Sequence, residues 1–552
     1  MTSANTKCVL VFAATILLWS ATDAFSTHAS YQRRPGAQPP VEQDLIVDQA
    51  AELLRAGKIE DAEKTAREAV NKQPRNAAAH TLLGVILFQR GHATEAEQEL
   101  RSALRLDPKS VGALTNLAIV LSNTGRTDEA IKKLEAALNL DPKRSDAAYN
   151  LAVLYIRTKA YERAIAVLTN LVKAAGGEDS VDLTTLLTLM NAYAGAQRTS
   201  EATRLADKIE ARGANDPRVL FTLGLALADV GSYERAAALF ERTNELTPNN
   251  YEVLYNLGLA LINLDQLDRA RAVLQAAATL QPEQPDVFYR LGLIASAKGE
   301  SENALGLWQR TIKFQPTYPE AYFVMAEELV KNQRSDRAIS FYEKAVEQDP
   351  NKPLYHMRLG VAYFRIRRYS EAHATFANAL KSFPQSAALH YLLGYAARAE
   401  GQFDLARTEF ERTIQLQADN ASAYANLGFL ALERGETIEA ERLLRRALSL
   451  EADNYPATYD LGRLLVRLKR YDEALPLLKR GAEMSKDDPG VHYQLFLIYS
   501  RLKSKAEADR ELALFKTLEE SRKARETGMA GSSTTNQLPA PENSSQPPKE
   551  RP

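Results

Sequence analysis

At 552 residues, with 69 Lys and Arg against 70 Asp and Glu, the chain is long and almost neutral, and it lacks the general basic excess that nucleic-acid binding needs. A hydrophobic fraction of 45% predicts a folded, soluble protein, and the length alone would suggest several globular domains. The one cysteine, Cys8, stands near the amino terminus, which leaves the rest of the chain without disulfides, a thiolate metal site or a thiol nucleophile.

Residues 1–24 read as a secretory signal. Lys7 and the amino terminus supply positive charge, and Cys8 to Trp19 is a predominantly apolar run, short for a membrane span of about 20 residues. Thr22-Asp23-Ala24 is the candidate cleavage site, and retention as a membrane anchor is the alternative. Cys8 precedes the apolar run, whereas a lipoprotein cysteine would follow it. The signal predicts an exported protein, periplasmic or secreted. Residues 25–42 are polar, hold Pro35, Pro39 and Pro40, and read as a flexible linker.

From Gln43 the chain matches itself every 34 residues, so the expectation of several domains gives way to one repeat array. Four units run in frame over 43–178. Residues 179–182 are then inserted, after Ala174-Ala175-Gly176-Gly177-Glu178 has replaced the usual Asp-Pro ending. Ten further units follow over 183–522, the last with a richly charged second half that suits a terminal cap. The fifth unit carries Met190 where a small residue is expected, which predicts a splayed helix pair or hinge around 174–216. Residues 523–552 include a Ser-, Pro- and Asn-rich stretch from Met529 and read as a disordered tail.

The unit Tyr251 to Gln284 shows why this pattern makes two helices. Counting its residues 1 to 34, Leu254, Leu257 and Leu261 fall at positions 4, 7 and 11, on one helical face. Ala270, Leu274 and Ala277, at positions 20, 24 and 27, form a second apolar stripe, and Pro282 stops the second helix. Position 20 is Ala in all fourteen units, from Ala62 to Ala508, and position 8 is Gly or Ala in most, as at Gly84, Gly258 and Gly462. Small residues there let two helices approach closely. One helix pair cannot cover its own apolar face, but a stack of pairs can.

These residues resemble the tetratricopeptide repeat family, over about Gln43 to Arg522. The resemblance implies an all-α, right-handed superhelical solenoid of about fourteen helix–turn–helix repeats. It also implies that the first helix of each repeat lines a concave groove. Position 5 then gives an aromatic ladder that includes Tyr149, Phe221, Tyr255, Tyr289, Phe323, Tyr391, Tyr459 and Tyr493. Position 6 gives a polar ladder that includes Asn116, Asn150, Asn256, Arg290, Arg358, Asn426 and Asp460. Amide rungs can hydrogen-bond an extended peptide without reading its sequence, and aromatic rungs add desolvated contact area. The expected partner is a protein or extended peptide. Membrane contact is expected only through an uncleaved signal.

The residues bear on three other functions. The family's clamp for chaperone tails needs Lys at position 5 and Asn at position 9 of one repeat, with matching residues in the next two. Here position 5 is never Lys, and Asn191 is the only Asn at position 9. The amide rungs are also similar to the repeat arm of O-linked N-acetylglucosamine transferases, whose large catalytic domain has no counterpart in residues 523–552. The chain further resembles periplasmic repeat proteins that serve exopolysaccharide export, so polysaccharide-export machinery is an alternative partner. No phosphate-binding loop, His-Glu-x-x-His or Gly-x-Ser-x-Gly is present. Histidines recur at position 4 (His80, His356, His390, His492), as packing residues do. No catalytic centre, metal site or cofactor is expected.

Overall fold

In a computed structural model, residues 44–528 are described; the signal, the linker and the tail beyond Gly528 lie outside the described residues. The described residues form fourteen consecutive helix pairs, from Asp44–Arg55 with Ile59–Lys72 to Pro489–Arg501 with Lys505–Gly528. The protein is thus an all-α repeat solenoid. The last helix continues through Gly528, so residues 523–528, expected to begin the disordered tail, are helical. The pairs fall into two compact units, one holding repeats 1–7 up to Gln281 and the other repeats 8–14 from Pro282.

Each helix begins and ends for local reasons. Asn76, Ser110, Asn250, Asn420 and Asn454 cap first helices by accepting hydrogen bonds from backbone N–H groups of the first turn. Pro217, Pro285, Pro319, Pro353 and Pro489 start others, where a missing N–H costs nothing. Between the two helices, position 15 takes the left-handed conformation in every repeat. Seven repeats use glycine there, as at Gly91 (φ 84°), and seven place a larger residue, such as Asp265 (φ 58°) or Arg367 (φ 64°). This turn signal is half-hidden in the sequence, because the neighbouring packing forces it even on residues that disfavour it.

The small residue at position 8 has a specific partner, the large residue at position 24. A Cβ on Gly292 would overlap the Trp308 indole, and one on Gly394 would lie 2.9 Å from the Phe410 ring. Leucines meet Gly84, Gly258, Gly428 and Gly462 in the same way. Repeat 5 inverts the pair, with Met190 at position 8 and Ala206 at position 24, both buried. The large side chain has changed helices, and the volume between them is kept. Met190 is thus accommodated within its own helix pair. One trace of loosening remains: Ala202 is half-buried, whereas the alanine at position 20 is buried in every other repeat.

The insertion is strapped down. Glu178–Ser180 forms one 3₁₀ turn after Gly176 and Gly177, both at positive φ. Arg204 and Lys208 pair with the Glu178 carboxylate, and the Arg204 hydrogen bonds, opposed by partial burial, hold it down at about 2. Arg212 donates to the carbonyls of Glu178 and Val181, both at 2.9 Å. Arg212→Ala is therefore expected to speed amide exchange over residues 176–182 by about tenfold or more, as the loss of charged hydrogen bonds implies, and to leave repeats 3 and 7 unchanged. Hydrogen exchange read by mass spectrometry checks this; unchanged protection at 176–182 would show that the guanidinium is not the strap.

Polar groups also tie successive repeats together. His80 Nδ1 lies 2.6 Å from Glu99 and its Nε2 3.1 Å from the Pro74 carbonyl, and His390 repeats this with Glu409 and Pro384. Glu328 is buried yet satisfied: burial pushes its carboxyl up, but Ser296, at 2.6 Å, and Ser301 donate to it, and the net effect lowers it. The array closes on bulk. Phe496 and Phe515 replace the small residues of positions 8 and 27, and Phe515 packs 5.2 Å from the Tyr493 ring.

Candidate functional site: the exposed face of the first helices

Positions 5 and 6 of each first helix hold the candidate binding residues, and helical spacing puts positions 9, 12 and 13 on the same face. The structure sorts those residues into two groups. Asn150, Tyr289, Tyr391 and Asn426 are buried, between 3% and 7% exposed, and so do not offer the contact surface expected of them. The physical reason is packing against position 24 or against the neighbouring repeat. Tyr391 lies 5.7 Å from Phe410, and Tyr289 lies 5.1 Å from Tyr318. Phe221 and Phe323 are half-buried by the same contact, against Phe240 at 5.7 Å and Tyr342 at 5.9 Å. The aromatic ladder is therefore largely a wall of the repeat core that shows its edge.

Tyr149, Tyr255 and Tyr459 are half-buried, and Tyr493 is 40% exposed. Tyr255 and Tyr459 stack on the tyrosines one turn earlier, Tyr251 at 5.8 Å and Tyr455 at 6.2 Å. The Tyr149 hydroxyl is buried, and burial pushes it up to about 12. Arg290 and Arg358 are half-buried; Arg290 reaches over the Tyr289 ring at 5.6 Å, and Arg358 lies 3.6 Å from Glu327.

The amide rungs share one geometry. In each, Nδ2 donates to the carbonyl four residues earlier: Asn116 to Gly112 at 2.9 Å, Asn150 to Asp146 at 2.8 Å, Asn256 to Glu252 at 2.7 Å and Asn426 to Ser422 at 2.8 Å. That leaves the second amide N–H and Oδ1. At Asn150 Oδ1 is buried without a partner, and at Asn426 it accepts from Arg398 Nη1 at 2.6 Å. Asn116 and Asn256 make no hydrogen bond through Oδ1 among the described residues. These two rungs can accept from a ligand N–H through Oδ1 and donate their second amide N–H to a ligand carbonyl.

Sequence reasoning missed a charge asymmetry on this face. At positions 5, 6, 9, 12 and 13, repeats 1–7 carry two basic and two acidic residues; repeats 8–14 carry eight basic and three acidic. The chain's near-zero net charge concealed it. The signal was there at positions 12 and 13, which carry Arg365, Arg398 and Arg467. Among the described residues, no group of three or more His, Cys, Asp or Glu side chains could hold a metal ion, and no helix is long and apolar enough to cross a membrane.

Helix pairs that stack through small-to-large contacts, and present one face of every first helix, define a repeat-scaffold class. The chain belongs to the tetratricopeptide repeat family: models described as "Tetratricopeptide repeat" match residues 47–111, 100–132, 121–182, 187–251, 227–292, 323–372, 357–423 and 431–495. No curated protein matches the chain. Solved structures similar to it include the C-terminal part of a repeat-containing protein from Cytophaga hutchinsonii, at 18% identity and a TM-score of 0.40, over 44% of this chain and 99% of that one. Naa15/Naa10 bound to HypK-THB matches at 16% identity and a TM-score of 0.32, over 89% of this chain and 98% of that one. Yeast Tom70 matches at 16% identity and a TM-score of 0.31, over 82% of this chain and 97% of that one.

Proposed function

We propose that this chain is a non-catalytic scaffold, exported to the periplasm or beyond the cell, that binds a protein or extended peptide along the exposed face of its first helices. The observation that carries the reading is the state of the half-buried rungs Asn116 and Asn256. Each uses one amide N–H on its own helix, which fixes the side chain, and keeps the second N–H and Oδ1 for a partner. Half-buried tyrosines beside them supply apolar area with little side-chain entropy to lose on binding. Binding is then the sum of many modest contacts over several repeats. Export rests on the apolar run Cys8 to Trp19 behind Lys7.

A photo-reactive residue in place of Tyr255, in the full chain expressed in its own host, tests the face directly. A second variant carries it at Gln275, exposed on a second helix. The expected result is one discrete protein adduct from position 255 and none from 275. Equal trapping from both, or none from either, would move the binding surface elsewhere.

A further inference from the structure

Two carboxylates in repeats 8–14 are buried and differ in one respect. Glu328 accepts hydrogen bonds from two serine hydroxyls. Asp460 is 7% exposed, and its carboxylate accepts no hydrogen bond within the described residues. Its nearest cation, Arg463 Nη2, stands 3.4 Å away, and that same nitrogen donates to Glu433 at 3.2 Å. One first helix further back, Arg398 lies between two rings, 4.8 Å from the centre of Tyr395 and 4.9 Å from that of Phe429, with Nη1 on Asn426. The stacking fixes the plane of the guanidinium, and beyond Asn426 its donor edge meets no acceptor among the described residues.

We propose that this cluster, on the first helices of repeats 11–13, binds a carboxylate of an acidic partner polypeptide through Arg398 and Arg463, and that Asp460 takes up a proton when it does so. The proposal rests on the reading of the first-helix face as a binding surface and names the ligand chemistry of one part of it. Charge decides the occupant. The face carries the basic excess described above, and Arg365 and Arg467 on it form no ion pair among the described residues. A cationic partner would meet this excess at close range.

A ligand carboxylate brought against an ionised Asp460 would be repelled, whereas a protonated Asp460 donates a hydrogen bond to it. The charged groups acting on Asp460 are Arg463 on its own helix, Arg398 on Ala387–Ala399 and Glu433 on Ala421–Glu433. The helices Thr437–Leu450, Tyr471–Met484 and Pro489–Arg501 add no charged group to this set. Burial, which outweighs both arginines, pushes the Asp460 carboxyl up to about 6. The proton is therefore available close to neutral pH. At pH 7.5 only about 3% of the molecules hold it, so binding that requires it is weakened roughly thirtyfold.

The test is the affinity of the full chain for rhodamine-labelled octaglutamate, read by fluorescence anisotropy at pH 7.5 and pH 5. Asp460→Asn mimics the protonated acid, and its binding at pH 7.5 is expected to be tighter than that of the unmodified chain by up to about thirtyfold. At pH 5 the two are expected to agree. Comparison at equal pH removes the titration of the peptide itself. Arg398→Gln is expected to weaken binding at both pH values. Equal affinities of Asp460→Asn and the unmodified chain at pH 7.5 would overturn the proton linkage. Tighter binding of octalysine or of an oligothymidylate, or no binding of octaglutamate by any variant, would overturn the ligand class. If that happens while position 255 still traps a protein, the proposed function stands and only this site falls.

Discussion

Gly292→Met is expected to destabilise repeat 8 by roughly 1–3 kcal/mol, because the added side chain must enter the space that the Trp308 indole fills. Trp308 is buried, and its Nε1 donates to the Tyr289 carbonyl at 3.2 Å, so the ring has no easy exit. Trp308→Ala alone empties that space and is expected to cost about 3–5 kcal/mol. The informative variant combines them. Gly292→Met with Trp308→Ala recreates the arrangement of Met190 and Ala206 in repeat 5. It is expected to cost less than the sum of its parts by roughly 1–3 kcal/mol, the coupling seen for side chains that share one volume. Amide exchange in the helices Pro285–Ala297 and Ser301–Phe314 resolves the local stability, which a single global transition in a long array does not. Strict additivity would mean that positions 8 and 24 do not compete for the same space.

Asp460→Asn is expected to stabilise the last repeats at neutral pH and to do nothing in acid. Its carboxyl titrates at about 6 in the folded chain, above the unfolded value of 3.8. Between those two values the folded state holds a proton that the unfolded state releases. The contribution of Asp460 to stability is therefore complete below pH 3.8 and is lost as pH rises through 6. Two pKa units correspond to a ceiling of about 3 kcal/mol, and asparagine escapes that loss. The 3.4 Å approach of Arg463 is forfeited at the same time and lowers the gain. Urea unfolding at pH 7.5 and at pH 4 checks the sign. A loss of stability at pH 7.5 would show that Arg463 compensates the buried charge in full. A residue that lowers stability at neutral pH, on a face otherwise rich in amides and arginines, is what a binding function would retain.

Much of the fold was legible in the sequence because each repeat is written locally. The spacing of Leu254, Leu257 and Leu261, the alanine at position 20 and the proline that ends the second helix all act within one helix pair. The candidate site was less legible. Tyr255 and Tyr391 occupy the same position of the repeat, yet Tyr255 is half-buried over Tyr251 while Tyr391 is buried against Phe410. Position in the repeat says which way a side chain leaves its helix, but the volume of its neighbours says whether it stays accessible.

What the sequence determined by itself was the period, the helix pairs and the family, since these follow from hydrophobic spacing and turn chemistry over a few residues. What only the tertiary structure decided lies between helices. Met190 fits because Ala206, sixteen residues on, makes room for it. Glu178 is held by Arg204 and Lys208 of the next helix. The Asp460 carboxylate is buried among Arg398, Glu433 and Arg463, from three first helices. Volume, ion pairing and desolvation depend on which side chains meet, and that is a property of the stack rather than of any one repeat.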